Sequence, residues 1–139
     1  MLSCDEIREY RDKKNKYARY MGIITTELRP GYASGEMEIK QEYENAVDSL
    51  HGGVLFTIAD TIGGAAAASR GMKMTTIDSS FHYLSPAFDA KMIFAEATEI
   101  KYGKTISVYE LKVHDDKKRL LAYGTFSYYN LGVPLDLTK

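Results

Sequence analysis

The run Val54 to Ser69, VLFTIADTIGGAAAAS, is apolar or small all the way along, and Asp60 is its one charge. A helix of this composition has no polar face to leave in water, so the rest of the chain must wrap it on most sides. An ionised carboxylate taken out of water without a partner is penalised heavily or gives up its charge. Two readings of Asp60 follow: a carboxylate held structurally by a backbone amide or a threonine hydroxyl, or one used for chemistry. The run is shorter than the roughly 20 residues that a bilayer core requires, and it carries Gly63, Gly64 and Asp60, so a membrane span is not expected.

The 139 residues suffice for one core without metal or disulfide staples, and the expectation is a single domain over 1–139. A net charge of -1, with dispersed lysines, offers no clustered basic surface for nucleic acid. Cys4 has no second cysteine to pair with, and near a polar amino terminus it reads as a bystander thiol. The opening residues include Asp5, Glu6 and Arg8 where a signal peptide needs an apolar core, so a cytoplasmic location is expected.

Residues 3–20 read as an N-terminal helix, with Ser3 as cap, Asp5 and Glu6 in the first turn, and Ile7, Tyr10, Lys14, Tyr17 and Met21 along one face. Its cluster Lys13, Lys14, Lys16 and Arg19 reads as a solvated face. Ile23–Leu28 and Tyr32–Ile39 read as strands around the turn Arg29-Pro30-Gly31, and 41–50 as irregular. After the helix of about 53–69, four more strands are expected: Met74–Leu84, Lys91–Lys101, Ile106–His114 and Leu120–Tyr129. The fold class is therefore α+β, with an antiparallel sheet of about six strands curled around one long central helix, the hotdog fold, over a core of 21–130. Gly63, Gly64 and Ala65 to Ala68 would let strands come close to the helix; the alternative is that the glycines end it early.

The order Asn45-x-x-Asp48-x-x-His51-Gly52-Gly53, with Ala59-Asp60 placing the acid nine residues after the histidine, resembles the signature of the PaaI-type acyl-CoA thioesterases of the hotdog superfamily. Thr76-Ile77-Asp78, Tyr83-Leu84-Ser85-Pro86-Ala87, Lys101-Tyr102-Gly103-Lys104-Thr105 and Ala122-Tyr123-Gly124-Thr125 are similar to that family's later strands, in the same order. Asp48 stands where the family has glycine, and Phe88-Asp89-Ala90 replaces a Gly-acid pair. The resemblance implies hydrolysis of an acyl-CoA thioester to acid and CoA. Asp60 would be general base or nucleophile, the Gly52 amide would polarise the carbonyl, and His51 would assist the helix start or the leaving thiolate. Asn45 would hold the attacking water with Asp60, and Thr76 would place a hydroxyl beside the acid. Substrate contacts are implied from Gly53, Tyr83, Ser85, Pro86, Lys101, Gly103, Lys104 and Thr105. Lys104 would meet a CoA phosphate, a solvated turn lysine being the alternative. No metal and no cofactor are implied, and the family's obligate homodimers often pair into tetramers.

Thioester hydrolysis needs an activated nucleophile and donors for the oxyanion. The first amides of the helix, at Gly52 and Gly53, have no partner one turn back and carry the positive end of the helix dipole. Gly52 and Asp60 lie eight residues apart, which at about 1.5 Å per residue is roughly 12 Å along one helix. That is too far for both to act on one carbonyl carbon. Two antiparallel helices across a two-fold axis would bring Asp60 of one chain opposite Gly52 of another, giving a homodimer with two composite sites. Gly103-Lys104-Thr105 is similar to the end of a phosphate loop, but Thr98 stands where its first glycine belongs and a strand follows. His82 and His114 stand alone on strands, without a metal-ligand set. Phe56, Met74, Phe81 and Tyr83 are candidates for an acyl pocket. Two other functions compete: a non-catalytic acyl-CoA binding or sensing module, against which the full set Asn45, His51 and Asp60 argues, and a hotdog hydratase of enoyl thioesters.

Overall fold

The computed structural model describes residues 1–139. Two N-terminal helices, α1 (Cys4–Lys14) and α2 (Lys16–Met21), precede a hairpin of β1 (Ile24–Arg29) and β2 (Tyr32–Glu38). A 3-10 turn at Gln41–Tyr43 leads to the helix α3 (Gly52–Ala68), followed by β3 (Met72–Tyr83), β4 (Met92–Tyr102), β5 (Ile106–Asp115) and β6 (Leu120–Pro134). The six strands form one antiparallel sheet in the order β1-β2-β4-β5-β6-β3, with α3 packed against it. This is the hotdog fold that the helix and strand pattern implied. β3, the strand that leaves α3, lies at an edge of the sheet, paired only with β6.

Alternation sets the inner face of the sheet. On β5, Ser107, Tyr109, Leu111 and Val113 are buried, and on β4 Ile93, Ala95 and Ala97. The strands nearest the helix carry small residues, and a Cβ at Gly35 on β2 would collide with the Ile62 side chain of α3. Close packing of helix on sheet therefore rests on small residues of the sheet as much as on those of the helix.

Two expectations need correction. The helix expected over 3–20 is two helices, because Asn15 adopts an extended ψ of 92°, ends α1, and turns its side chain to cap α2 by accepting from the Ala18 amide. Ile7, Ala18 and Met21 are buried beneath the pair. The second concerns Asp60, expected inside a buried helix: α3 is covered on most sides, as expected, but one stripe of it is open. Val54, Leu55, Ile58, Ala59, Ile62 and Gly63 are buried, while Gly53, Phe56, Thr57, Asp60, Thr61 and Gly64 form a helical stripe that the chain leaves open. Asp60 is thus half-buried. The glycines do not break the helix, which runs on to Ala68. No helix is long and apolar enough to cross a membrane.

Candidate active site

Asp60 lines a cavity of about 470 Å³ bounded by α3, β3 and the turn from α1 to α2. Thr76, on β3, donates its hydroxyl to Asp60 Oδ1 at 2.7 Å. The Tyr128 hydroxyl, from β6, lies 3.1 Å from the same oxygen and 3.1 Å from the Asp60 carbonyl. Both side-chain bonds fall on Oδ1, and Oδ2 accepts none. Tyr128 is buried, and burial together with the charge of Asp60 holds its phenol well above the usual tyrosine range, so it stays a proton donor. Gly63 makes this contact possible: a Cβ there would overlap the Tyr128 hydroxyl. One position on, Gly64 has the Arg11 guanidinium over it, 3.1 Å from where a Cβ would stand.

The other half of the expected site gathers at the start of α3. His51 caps the helix, its Nδ1 accepting from the Gly53 amide at 2.8 Å, which leaves the Gly52 N–H without an intrachain partner. This narrows the pair of free amides expected from the sequence to Gly52 alone, since Gly53 is held by the cap. Gly52 borders a second cavity, of about 300 Å³, with Asn45, Ser49, Leu50, Tyr83, Ser85 and Pro86. The Tyr83 ring stands over Gly52, its Cε1 3.1 Å from where a Cβ would be. Asn45 organises its own loop: its Oδ1 accepts from the amides of Val47 and Ser49, and its Nδ2 donates to Ser49 Oγ. Asp48, where the family has glycine, takes the left-handed conformation at φ 63°, so the loop keeps the turn that glycine would give it.

The expected residues therefore fall into two groups, one at the start of α3 and one at its middle. Asp60 and Thr76 share one cavity; Asn45, Gly52, Tyr83, Ser85 and Pro86 share the other. His51 and Gly53 lie exposed at the helix start. Lys101, Gly103, Lys104 and Thr105 line neither cavity; they end β4 and form its turn into β5, where a Cβ on Gly103 would strike the Ile106 carbonyl. Phe56 and Met74 border the Asp60 cavity. Phe81 links the two, meeting Phe56 edge-on at 5.8 Å and Tyr83 at 5.3 Å. Sequence reasoning missed Tyr128 and Arg11. The signal for both was the glycine pair at 63 and 64, each of which admits a long side chain from a distant part of the chain.

A family model described as the thioesterase superfamily matches residues 48–122, from the Asp48 loop into β6. The chain belongs to the thioesterase superfamily. Human acyl-coenzyme A thioesterase 13 is 32% identical to this thioesterase over 108 residues, 76% of this chain and 77% of that protein. Acyl-coenzyme A thioesterase PaaI of Escherichia coli is 28% identical over 115 residues, 83% of this chain and 82% of that one. Among solved structures, the E. coli PaaI protein from the phenylacetic acid degradation operon aligns with a TM-score of 0.89 at 22% identity, covering 97% of this chain and 100% of that one. A hypothetical thioesterase protein with coenzyme A from Streptococcus pneumoniae aligns with a TM-score of 0.82 at 22% identity, covering 89% and 99%. The thioesterase is a thioester hydrolase with the PaaI-type hotdog fold.

Proposed function

We propose that this thioesterase hydrolyses an acyl-CoA, at a site completed by two copies of the chain. The observation that carries the reading is the separation of Asp60 and the free Gly52 amide into two cavities, one at the middle of α3 and one at its start. β3 runs between the same two places, from Thr76 beside Asp60 to Tyr83 over Gly52. It is also an open edge, with Ile77 49% exposed. Antiparallel pairing of β3 with β3 of a second copy would satisfy that edge, cover the open stripe of α3, and set each Asp60 cavity facing a Gly52 cavity.

In such a site the thioester carbonyl lies between the Gly52 N–H of one chain and Asp60 of the other. Water activated by Oδ2, or Oδ2 itself, adds to the carbonyl carbon as the C=O pair moves onto oxygen, where the Gly52 amide and the dipole of α3 stabilise the charge. Collapse of the tetrahedral species breaks the C–S bond and releases CoA thiolate, which takes up the proton released from water. In the route through attack by Oδ2, water then cleaves the acyl-aspartate anhydride. Oδ1, fixed by Thr76 and Tyr128, sets the orientation of Oδ2. The observed names of the relatives and the coenzyme A in the pneumococcal structure support CoA as the thiol.

The test is a thiol-release assay over short, medium, long and aryl acyl-CoAs, with Asp60→Asn and Gly52→Val. Asp60→Asn should lower kcat by about 10²–10⁴-fold, the range of a lost acid–base group. Each variant alone should be nearly inactive, and mixed heterodimers should regain about half of the wild-type rate, because one of two composite sites is intact. Heterodimers as inactive as their parents would place both groups in one chain. Binding across the panel without turnover by the wild type would make the chain an acyl-CoA binding module instead.

A further inference from the structure

The residue of the Asp60 cavity left without a role is Arg11, in the last turns of α1. It is half-buried, yet its guanidinium donates no hydrogen bond within the chain and lies beyond 4.0 Å of every carboxylate, unlike the paired Arg8, Arg29 and Arg70. Burial lowers its pKa, and the charges of Asp12 and Asp60 act against this. Neither nearby carboxylate pairs with it, the open Oδ2 of Asp60 included. Asp12 accepts from both the amide and the hydroxyl of Thr25, at 3.1 and 2.7 Å, and Asp60 Oδ1 is taken by Thr76 and Tyr128. A partly desolvated guanidinium with its donors unused is costly to keep unless an acceptor arrives from outside.

Its position says where that acceptor would sit. The guanidinium stands over Gly64, one helical turn beyond Asp60, or roughly 6 Å along α3. Met74, two residues before Thr76 on β3, provides apolar wall on the Arg11 side of the cavity, while Phe56, one turn before Asp60, lines the opposite side. The hydroxyls of Thr57 and Thr61 are turned back onto their own helix, to the carbonyls of Gly53 and Thr57, and do not compete for a ligand. A ligand reacting at Asp60 thus meets a short apolar stretch and then a cation.

We propose that Arg11 selects acyl groups that end in a carboxylate, so that the preferred substrates are short dicarboxylic acids joined to CoA through one end. This rests on the acyl-CoA reading above and names the class of acid within it. The methylenes lie against Met74, and the terminal carboxylate takes two parallel N–H bonds from the guanidinium. The same contact offsets repulsion between that carboxylate and Asp60. No covalent step involves Arg11; it is a specificity-determining residue.

Glutaryl-CoA and pentanoyl-CoA differ in the terminal group alone and form the matched pair for the test. The wild type should show a kcat/KM higher by about tenfold or more for glutaryl-CoA, the ratio that about 1.4 kcal/mol of a charged contact gives. Arg11→Met should remove that advantage, mostly through KM, and leave pentanoyl-CoA within about twofold of wild type. Arg11→Lys, which keeps the charge but not the fork, should fall between. Hydrolysis of neutral acyl-CoAs with no preference for glutaryl-CoA would overturn the assignment, as would an equal loss on both substrates in Arg11→Met. Dissociation of Arg11→Met into monomers would also overturn it, since Arg11 would then answer a carboxylate of a second chain. Each of these leaves hydrolysis itself standing. An absence of turnover across the whole acyl panel by the wild type would instead sink the acyl-CoA reading.

Discussion

Two hydroxyls from different strands converge on one oxygen of Asp60, and the pair does more than satisfy a half-buried acid. Thr76 holds the carboxylate from the exposed side and Tyr128 from the core side, so the rotation that would exchange Oδ1 and Oδ2 breaks both bonds. Because the folded chain keeps the Tyr128 proton beyond the ordinary tyrosine value, its contribution to stability is whole below about pH 10 and is lost as pH rises above that. Tyr128→Phe should therefore flatten the alkaline fall in stability, read as the urea midpoint against pH. Tyr32 and Tyr109, whose pKa values are also raised, keep part of the slope. A fall as steep as in the wild type would remove Tyr128 from the account. Asp60 itself was legible in the sequence, since a lone charge in an apolar run stands out and its spacing from His51 matches a known signature. Tyr128 was not, because it is one of eleven tyrosines and its partner lies far back along the chain.

In α3 the neighbouring glycines, alike in sequence, have different tasks. A Cβ at 63 overlaps the buried Tyr128 hydroxyl, which cannot withdraw without losing Asp60, whereas one at 64 meets the mobile end of Arg11. Gly63→Ala should cost about 1–3 kcal/mol, as overpacking does. Gly64→Ala should be near neutral, since up to about 1 kcal/mol of helix propensity is recovered against a small shift of Arg11. Chemical denaturation of the two variants decides this, and equal costs would contradict the packing described. Helix α3 could be read from its unbroken apolar run, β4 and β5 from their alternation, and β3 and β6 from their content of hydroxyl and aromatic residues. The split at Asn15 was hidden, because the amphipathic face from Ile7 to Met21 carries on across the break and masks the cap that Asn15 makes for α2.

On the scale of the molecule, the notable feature is how little protects the edge at β3. The strand is twelve residues long, its one lysine is Lys73 near its start, and it contains no proline. Edges left so open are ordinarily paired. Ile77→Lys should weaken self-association, shifting the sedimentation profile toward monomer, and should reduce turnover in the same proportion. Monomers with full activity would refute the shared site. That one chain cannot bring Asp60 and Gly52 together needed only the rise of a helix and was readable from the sequence. Which strand is left open to a second copy was not, because the sheet order β1-β2-β4-β5-β6-β3 arises from long-range pairings that no local pattern encodes.

The two cavities spaced along α3 also have a genetic meaning. In the proposed dimer, a chain that has lost only Asp60 still lends its Gly52 end to a normal partner, so the normal chain keeps its one working site and the lesion is recessive. A chain that has lost both groups has nothing to lend. Each normal chain it pairs with falls silent, and the doubly damaged allele is dominant although neither lesion is dominant by itself.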